Sequence, residues 1–449
     1  MKNLIGRYGL GAMLLALVLQ ACSVSKSNKS TAEKANPDIK AFAQKAFDSN
    51  PYFAPAHWGV LVVEPATGKT LYAHQATKYF VPASNTKILT AYAALKNLGD
   101  SIVAFEYLPD GDQMAVRFTG DPSFLHPDYP TRRAYDFLQS RAPQITFVQP
   151  RWKTNPMGTG WMWGDYDFMP DRSPMPIYGN MVYFGLKGKQ LVASPKIFQD
   201  SLTIFSGLES GRFNIDRDPH SNRFTVSEAR SAFRGTELPF LTSADPTTLS
   251  LPLLEDTLHR VLQSASAVAN PQGQWQKFYS VPTDSLLSLM MHRSDNFFAE
   301  QILLMVGNEK IGSMNDAATI DTLLKSEFKN LPHAPRWLDG SGLSRYNMLT
   351  PTDFVWILTQ IKNQFPAARI KAIFPTGNEG TLAGLYNKHV GKIYAKTGTL
   401  SNTVALSGFL ETKSGKELIF SVLVNGHQTT AGNIRRGIEQ FLTSIMDQY

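Results

Sequence analysis

Three short groups of Ser, Lys, Asn and Thr residues could together activate a serine for acyl transfer. In chain order they are Ser84-Asn85-Thr86-Lys87, Ser294-Asp295-Asn296 and Lys396-Thr397-Gly398-Thr399. A serine hydroxyl is a poor nucleophile until a neighbouring base takes its proton. Lys87 is the candidate base for Ser84, because positions three apart on a helix lie on one face. A lysine serves as a base only where its pKa falls, and burial together with a second cation, Lys396, would lower it.

The other polar residues of these groups suit the remaining steps of acyl transfer. Ser84 is predicted at a helix start, where a free backbone N–H and the positive end of the helix dipole favour an oxyanion. Ser294 would relay the proton to the leaving amine, and Asn296 would hold Lys87 and the substrate amide. The alternative is that Lys87 and Lys396 are solvated surface residues, as most lysines are.

Each group alone is weak evidence, because its spacing recurs elsewhere in the chain. Ser-x-x-Lys also begins at 23 and 326, Ser-x-Asn at 313, and Lys-Ser-Gly at 413. Those copies fall in a polar segment, on a helix surface, before a helix and at a hairpin tip. The three groups instead occur in order at junctions between predicted elements, and this order favours a shared site.

The elements that must position these groups predict an α/β (α+β) domain whose two ends share one sheet. Strands are predicted at 58–63, 70–73, 393–397, 403–412 and 417–425, and helices at 39–47, 85–98, 285–291, 296–306, 317–328, 352–365 and 433–447. Between 101 and 275, short strands, prolines and aromatic residues replace the long helices. We therefore predict two parts of one domain, 39–100 and 276–449, separated by a β-rich insertion at 101–275.

The first 22 residues predict export and lipid attachment. A basic start, with Lys2 and Arg7, precedes an apolar run from about 10 to 19 that matches a signal peptide. The next segment, Leu19-Gln20-Ala21-Cys22, resembles the lipobox of bacterial lipoproteins, where the signal is cut before a cysteine that takes up lipid. We predict a signal peptide at 1–21 and a lipidated polar tether at 22–38. The alternative is a plain secretion signal with an incidental cysteine.

Lipid attachment would hold the protein in the periplasm on a bacterial membrane, and the outer membrane is one candidate. The composition agrees with an extracytoplasmic protein. The chain of 449 residues has 44 Lys plus Arg against 37 Asp plus Glu, a formal charge of +7 that suits an anionic cell wall or membrane. No basic cluster is interleaved with aromatic residues, so we expect no nucleic-acid partner.

Composition also limits the chemistry. Hydrophobic residues make up 43% of the chain, which excludes general disorder. A single cysteine excludes intrachain disulfides and multi-cysteine metal sites. The nine histidines include no short-spaced pair, so we expect neither a metal nor another cofactor.

The chain resembles the type-4, class C penicillin-binding proteins, which are D-alanyl-D-alanine carboxypeptidases and endopeptidases. The resemblance rests on the three groups and on the surrounding segments 120–122, 293–304, 339–345, 380–382 and 395–400. The first two groups are separated by 294 − 84 = 210 residues, whereas class A β-lactamases lack such an insertion. The resemblance implies a penicillin-binding transpeptidase or β-lactamase-like domain, with the β-rich insertion after the nucleophile helix.

The resemblance also implies the reaction. Ser84 would attack a D-Ala–D-Ala terminus or a D-alanyl–diaminopimelate cross-link of a peptidoglycan stem peptide, and water would clear the acyl-enzyme. The backbone N–H groups of Ser84 and Thr399 would form the oxyanion hole. The substrate carboxylate would bind along Lys396, Thr397, Gly398 and Thr399. β-Lactams would inhibit the enzyme by acylating Ser84.

Two further residues would read the charged end of diaminopimelate, which carries an amine and a carboxylate. The segment Trp161-Met162-Trp163-Gly164-Asp165 resembles the family stretch that brings an aspartate to this pocket, and Arg345 resembles its arginine. We assign Asp165 to the amine and Arg345 to the carboxylate. The alternatives are that Asp167 is the anion, that Asp165 caps a loop, or that Arg345 forms a structural ion pair.

Three other functions compete for the same domain. A β-lactamase or esterase needs a dedicated deacylation base, for which the sequence offers no strong candidate. An inactive lipoprotein that binds peptidoglycan has no need of a serine and two lysines in this arrangement. A transpeptidase that builds cross-links is disfavoured, because a long glycosyltransferase region is absent.

Overall fold

The computed structural model describes residues 37–141, 144–161, 169–208, 211–229, 231–268 and 273–449. The predicted signal peptide, Cys22 and most of the tether lie outside the described residues, as do Asp165 and Asp167. Among the described residues, no helix combines the length and apolar character needed to cross a membrane.

Ten α-helices are described. They are α1 Pro37–Ala43, α2 Lys87–Asn97, α3 Arg133–Arg141, α4 Ser250–Leu258, α5 Thr283–Arg293, α6 Asn296–Ile311, α7 Asp316–Lys325, α8 Pro351–Gln364, α9 Ala367–Ile373 and α10 Ala431–Gln448. A π-helical turn, Gln44–Asp48, continues α1, and a 3₁₀ turn, Ala83–Thr86, precedes α2. The short helix α9 was not predicted from the sequence.

Sixteen β-strands are described. They are β1 His57–Glu64, β2 Lys69–His74, β3 Ser101–Asp110, β4 Gln113–Phe118, β5 Gln144–Val148, β6 Met181–Lys187, β7 Gln190–Ser194, β8 Leu202–Leu208, β9 Asn214–Arg217, β10 Phe224–Ala229, β11 Thr236–Pro239, β12 Gln263–Ala265, β13 Gln276–Pro282, β14 Ile393–Leu400, β15 Thr403–Glu411 and β16 Glu417–Asn425.

The two ends of the chain share one antiparallel sheet, as predicted. Its strand order is β14-β15-β16-β1-β2, and β1 pairs with β16 so that Val60 lies opposite Val422. The apolar run 418–424 of β16 is buried along its whole length, because helices cover both faces of the sheet. This sheet confirms the predicted α/β fold class.

The helices form a layer on each side of this sheet. On one side, α1 and α10 pack their apolar residues against β1, β15 and β16. On the other side, α2, α5, α6 and α8 form the larger core. Helix α6 lies at the centre of this layer, and every residue from 297 to 308 is buried. The second of the three groups stands at the start of this buried helix.

The region between α2 and α5 is the predicted β-rich insertion. It contains a five-stranded sheet of order β12-β5-β4-β3-β13 and two three-stranded sheets, β8-β10-β9 and β11-β6-β7. These sheets, with α3 and α4, enclose a separate core that includes Phe105, Phe147 and Phe224. The domain boundaries assigned from the sequence stay a prediction.

Candidate active site

The three groups meet at one cleft, although they are far apart in the sequence. The first group lies in the 3₁₀ turn before α2, the second joins α5 to α6, and the third lies on β14. The cleft has a volume of ≈ 330 Å³ and is lined by Ser84, Ser294, Asn296, Gly342, Leu343, Thr399, Leu400 and Ser401. We refer to it below as the Ser84 cleft.

Ser84 precedes α2 and does not belong to it. The predicted helix 85–98 begins instead at Lys87, after the 3₁₀ turn Ala83–Thr86. Ala83 has a φ of 48°, and its carbonyl oxygen accepts the Thr86 hydroxyl at 2.9 Å. A 3₁₀ turn aligns positions three apart, so the predicted proximity of Ser84 and Lys87 is retained. The Lys87 Nζ atom lies 3.1 Å from the Ser84 Oγ atom.

Lys87 is fully buried and has two strong acceptors besides Ser84. Its Nζ atom donates to Asn296 Oδ1 at 2.6 Å and to the Ser341 carbonyl at 2.8 Å. Burial lowers the pKa of Lys87 to about 8, against the opposing charges of Asp295, Glu300 and Asp339. Burial is the largest cause of the lowered pKa of Lys87, and the predicted influence of the Lys396 charge on it stays a prediction.

Lys396 forms the second lysine–serine pair. Its Nζ atom donates to Ser294 Oγ at 2.8 Å and to the Thr397 carbonyl at 2.8 Å. Burial, the charge of Lys87 and the charge of Arg435 hold the pKa of Lys396 well below its usual range. The two lysines therefore interact, and the repulsion is expressed in the pKa of Lys396.

Local backbone geometry places Ser294 and Asn296. Ser294 ends α5 in the left-handed region, with a φ of 60°. Asp295 then caps α6 by accepting the Phe298 N–H at 2.8 Å, which is the usual role of an aspartate before a helix. This sharp reversal directs Ser294 toward Lys396 and Asn296 toward Lys87.

Gly398 allows β14 to lie directly against the nucleophile turn. A Cβ atom at this position would lie 2.7 Å from the Pro82 carbonyl oxygen and 3.1 Å from the Ser84 nitrogen. β14 is also an edge strand, paired along its length only with β15 in the sheet. On its other side, residues 394–395 contact residues 375–376, and farther along the strand Gly398 faces the turn that holds Ser84.

The other predicted binding residues lie around the same cleft. The Thr397 hydroxyl donates to the Thr381 hydroxyl at 2.8 Å, and the exposed Thr399 hydroxyl accepts Arg435 Nη2 at 2.8 Å. Arg345 is exposed and donates to the carbonyl of Ser401, a cleft residue, at 2.8 Å. No ion pair involves Arg345 among the described residues, so the structural ion-pair alternative has no support there.

A buried network behind Lys87 was not predicted from the sequence. Glu300 Oε1 accepts the Ser341 N–H at 2.7 Å, and Arg172 Nη1 lies 3.4 Å from Glu300 Oε2 and 2.6 Å from Asp316 Oδ2. Asp339 accepts the Gly342 N–H at 2.9 Å. The available signal was Glu300 itself, a carboxylate beside Gln301 within a mostly apolar stretch of α6.

Metal ligands are a separate question. In the part of the chain that the structure describes, no group of three or more His, Cys, Asp or Glu residues is arranged to hold a metal ion. The polar side chains that line the Ser84 cleft are hydroxyls and one amide, and the Lys87 and Lys396 amines contact two of these hydroxyls.

Comparisons with known proteins relate the chain to one family of peptidases. The model of the D-Ala-D-Ala carboxypeptidase 3 (S13) family matches residues 40–445. The chain is 26% identical to a D-alanyl-D-alanine carboxypeptidase from Actinomadura sp., over 93% of this chain and 86% of that protein. It is 23% identical to D-alanyl-D-alanine carboxypeptidase DacB from Haemophilus influenzae, over 79% of this chain and 82% of that protein.

A solved structure shares the fold. The crystal structure of penicillin-binding protein 4 (dacB) from Haemophilus influenzae superposes with a TM-score of 0.66 at 20% identity. The match covers 90% of this chain and 97% of that chain. The β-rich region is therefore part of a fold that also occurs in a solved structure.

Proposed function

This chain belongs to the D-Ala-D-Ala carboxypeptidase 3 (S13) family, and we propose that it cleaves peptidoglycan stem peptides through an acyl-enzyme on Ser84. It is a serine D,D-peptidase, a hydrolase of the penicillin-binding protein class, and it acts on the cell wall outside the cytoplasm. The observation that carries the proposal is the set of three contacts made by the buried Lys87 amine.

These contacts suit Lys87 to act as the base. A neutral amine has two N–H donors and one lone pair. The Asn296 and Ser341 oxygens occupy the two donors, so the lone pair is directed at the Ser84 hydroxyl. Burial keeps the neutral amine accessible near physiological pH, because it lowers the pKa to about 8. Ser84 Oγ then forms a bond to the carbonyl carbon while its proton passes to Lys87.

Collapse of the tetrahedral intermediate requires a proton on the leaving nitrogen. Ser294 would relay it: its hydroxyl proton passes to the leaving nitrogen while Ser294 Oγ takes up a proton from Lys396 Nζ, which lies 2.8 Å away. The C–N bond breaks, the amine leaves with this proton, and the acyl group stays on Ser84. Water then attacks the acyl-enzyme with proton transfer through the same groups and releases the shortened peptide.

The oxyanion and the carboxylate have separate binding groups in this proposal. The backbone N–H groups of Ser84 and Thr399 would donate to the developing oxyanion. This role agrees with the close approach of β14 to the turn, which is possible because residue 398 is a glycine without a Cβ atom. Lys396, with the Thr397 and Thr399 hydroxyls, would bind the carboxylate that follows the scissile bond.

β-Lactam acylation tests the nucleophile. We expect benzylpenicillin to add one adduct mass to the wild-type protein and none to Ser84→Ala, read by intact mass spectrometry. Ser401→Ala is a matched control, because this residue lines the same cleft and contacts Arg345 through its backbone carbonyl, which the substitution retains. An adduct on Ser84→Ala would show that another residue is the nucleophile.

The substrate side chain is a finer part of the proposal. Arg345 would bind the carboxylate of diaminopimelate, since it is exposed beside Ser401 at the cleft. Asp165 would bind the amine, and this assignment rests on the sequence resemblance alone. Digestion of peptides with and without the charged end tests the Asp165 assignment. Asp165→Ala should slow cleavage of the charged peptide only, whereas Asp167→Ala should slow cleavage of neither peptide.

Lipid anchoring through Cys22 completes the proposal. It is supported by the lipobox-like sequence after an apolar run and by a polar segment of suitable length before α1. Cys22→Ser, expressed in a bacterium, should leave the membrane fraction and appear in the soluble periplasmic fraction. If that variant stays with the membrane, another feature anchors the protein.

A further inference from the structure

Arg435 of α10 brings a third cation to the Ser84 cleft, and none of the three sequence groups contains it. Its Nη2 atom donates to the Thr399 hydroxyl at 2.8 Å. It is close enough to Lys396 for its charge to lower the pKa of that lysine. Lys87, Lys396 and Arg435 thus place three basic side chains around one site.

No protein anion compensates Arg435. Within the described ranges, no Asp or Glu forms an ion pair with it, and its buried Nε atom has no hydrogen-bond acceptor. The next residue differs, since Arg436 pairs with Glu439 at 2.6 Å on the same helix. A guanidinium without a paired carboxylate, close to the buried Lys396, favours an anionic ligand at this site.

The chemistry of Thr399 indicates which anion. Its hydroxyl oxygen accepts from Arg435, so its own proton is free to donate into the cleft, where the side chain is exposed. A guanidinium fork beside a hydroxyl donor matches the two oxygens of a carboxylate. Arginine also keeps its charge at all relevant pH values, whereas the buried Lys396 loses its proton readily.

We infer that Arg435 is a specificity-determining residue that binds the terminal carboxylate of the substrate together with Thr399. The inference rests on the proposed function, because it presupposes that acyl transfer occurs at Ser84. It adds a permanent positive charge from α10 to a carboxylate site that the sequence assigned only to β14. Substrates without the free carboxylate would gain nothing from this residue.

The experiment compares two thioester substrates with the same acyl-D-alanyl group. One has a thioglycolate leaving group with a free carboxylate, and the other has its methyl ester. Arg435→Gln should lower kcat/KM on the carboxylate substrate by about 10- to 100-fold and leave the methyl ester unchanged. Arg435→Lys should recover part of the loss, since it retains the charge without the fork. Arg436→Gln, the matched control, should behave as wild type on both substrates.

Two outcomes would overturn the inference. Equal losses on both substrates would show that Arg435 supports the fold through Thr399, and unchanged rates on both would show that it does not meet the carboxylate. Thermal unfolding of each variant shows whether a uniform loss comes from the fold. If neither substrate acylates the wild-type protein, the proposed function itself is refuted. Failure of the proposed function is thereby distinguished from failure of the Arg435 inference.

Discussion

The carboxylate of Glu300 accepts the backbone N–H of Ser341 at 2.7 Å, and the carbonyl oxygen of that same Ser341 accepts Lys87 Nζ at 2.8 Å. Glu300 is fully buried and belongs to α6, the helix that also carries Asn296. Both acceptors that orient the Lys87 amine therefore depend on α6: Asn296 belongs to it, and Glu300 of the same helix holds Ser341 in place. Its central, buried position makes it a rigid support for the base.

This arrangement predicts a pH-dependent stability. Burial first, and then the charge of Asp339, raise the pKa of Glu300 from 4.5 to about 7. The folded state therefore binds this proton more tightly than the unfolded state. The resulting stabilisation is fully present below pH 4.5 and is lost as the pH rises through about 7.

Replacement of the carboxyl by an amide isolates the effect. From pH 4.5 to 7, the free energy of unfolding of wild type should fall by about 3 kcal/mol relative to Glu300→Gln, which cannot ionise. Urea titrations at several pH values measure this difference. Glu309→Gln, on the same helix but paired with Lys277 near the surface, should retain the wild-type dependence. Parallel curves for wild type and Glu300→Gln would contradict the prediction.

The pH dependence of acylation tests the base. Because only the neutral amine accepts a proton, the rate of acylation by benzylpenicillin should rise about tenfold per pH unit below the Lys87 pKa of about 8, and level off above it. Lys87→Ala should lower the rate by about 10²- to 10⁴-fold and abolish its rise with pH. Lys325→Ala, an exposed lysine paired with Asp321, should leave the profile unchanged. A wild-type rate that is flat from about pH 6 to 9 would exclude Lys87 as the base.

The close approach of β14 to the nucleophile turn predicts the effect of one methyl group. Gly398→Ala would place a Cβ atom 2.7 Å from the Pro82 carbonyl oxygen, so one of the two backbone segments must shift. We expect acylation by benzylpenicillin to slow by about 100-fold, because displacements of about 1 Å misalign the reacting groups.

Gly185→Ala is the control for this substitution. Gly185 also lies in a strand, and no heavy atom lies within 4 Å of the position of its Cβ atom. Benzylpenicillin should therefore acylate the Gly185→Ala variant at the wild-type rate. Equal acylation rates for Gly398→Ala and wild type would show that the spacing between β14 and the turn does not limit the reaction.

Arg345 gives a prediction on substrate choice. Arg345→Ala should cost about 1–3 kcal/mol of transition-state binding on a peptide whose side chain ends in free diaminopimelate. It should cost little on the same peptide without that charged end. The comparison of kcat/KM values measures this directly. Equal losses on both peptides would assign Arg345 to the support of Ser401, whose carbonyl it contacts.

Local patterns in the sequence determined the fold class and the members of the three groups. The apolar runs near both ends of the chain predicted the strands of the shared sheet, because the sequence of a strand shows directly which of its positions are buried. The spacing of Ser84 and Lys87 predicted their contact, because one helical turn or 3₁₀ turn is enough to align them. The resemblance to the family rested on the same groups, and the family model matches residues 40–445.

Only the tertiary structure decided what surrounds these groups. The 3₁₀ turn that holds Ser84 packs against Gly342 and Gly398, which lie far along the chain, and no local pattern encodes that contact. The pKa of Lys87 depends on complete burial, which neighbouring residues in the sequence do not set. Glu300, Ser341 and Arg435 reach the site from α6, a loop and α10, so their roles arise from contacts between segments that only folding brings together.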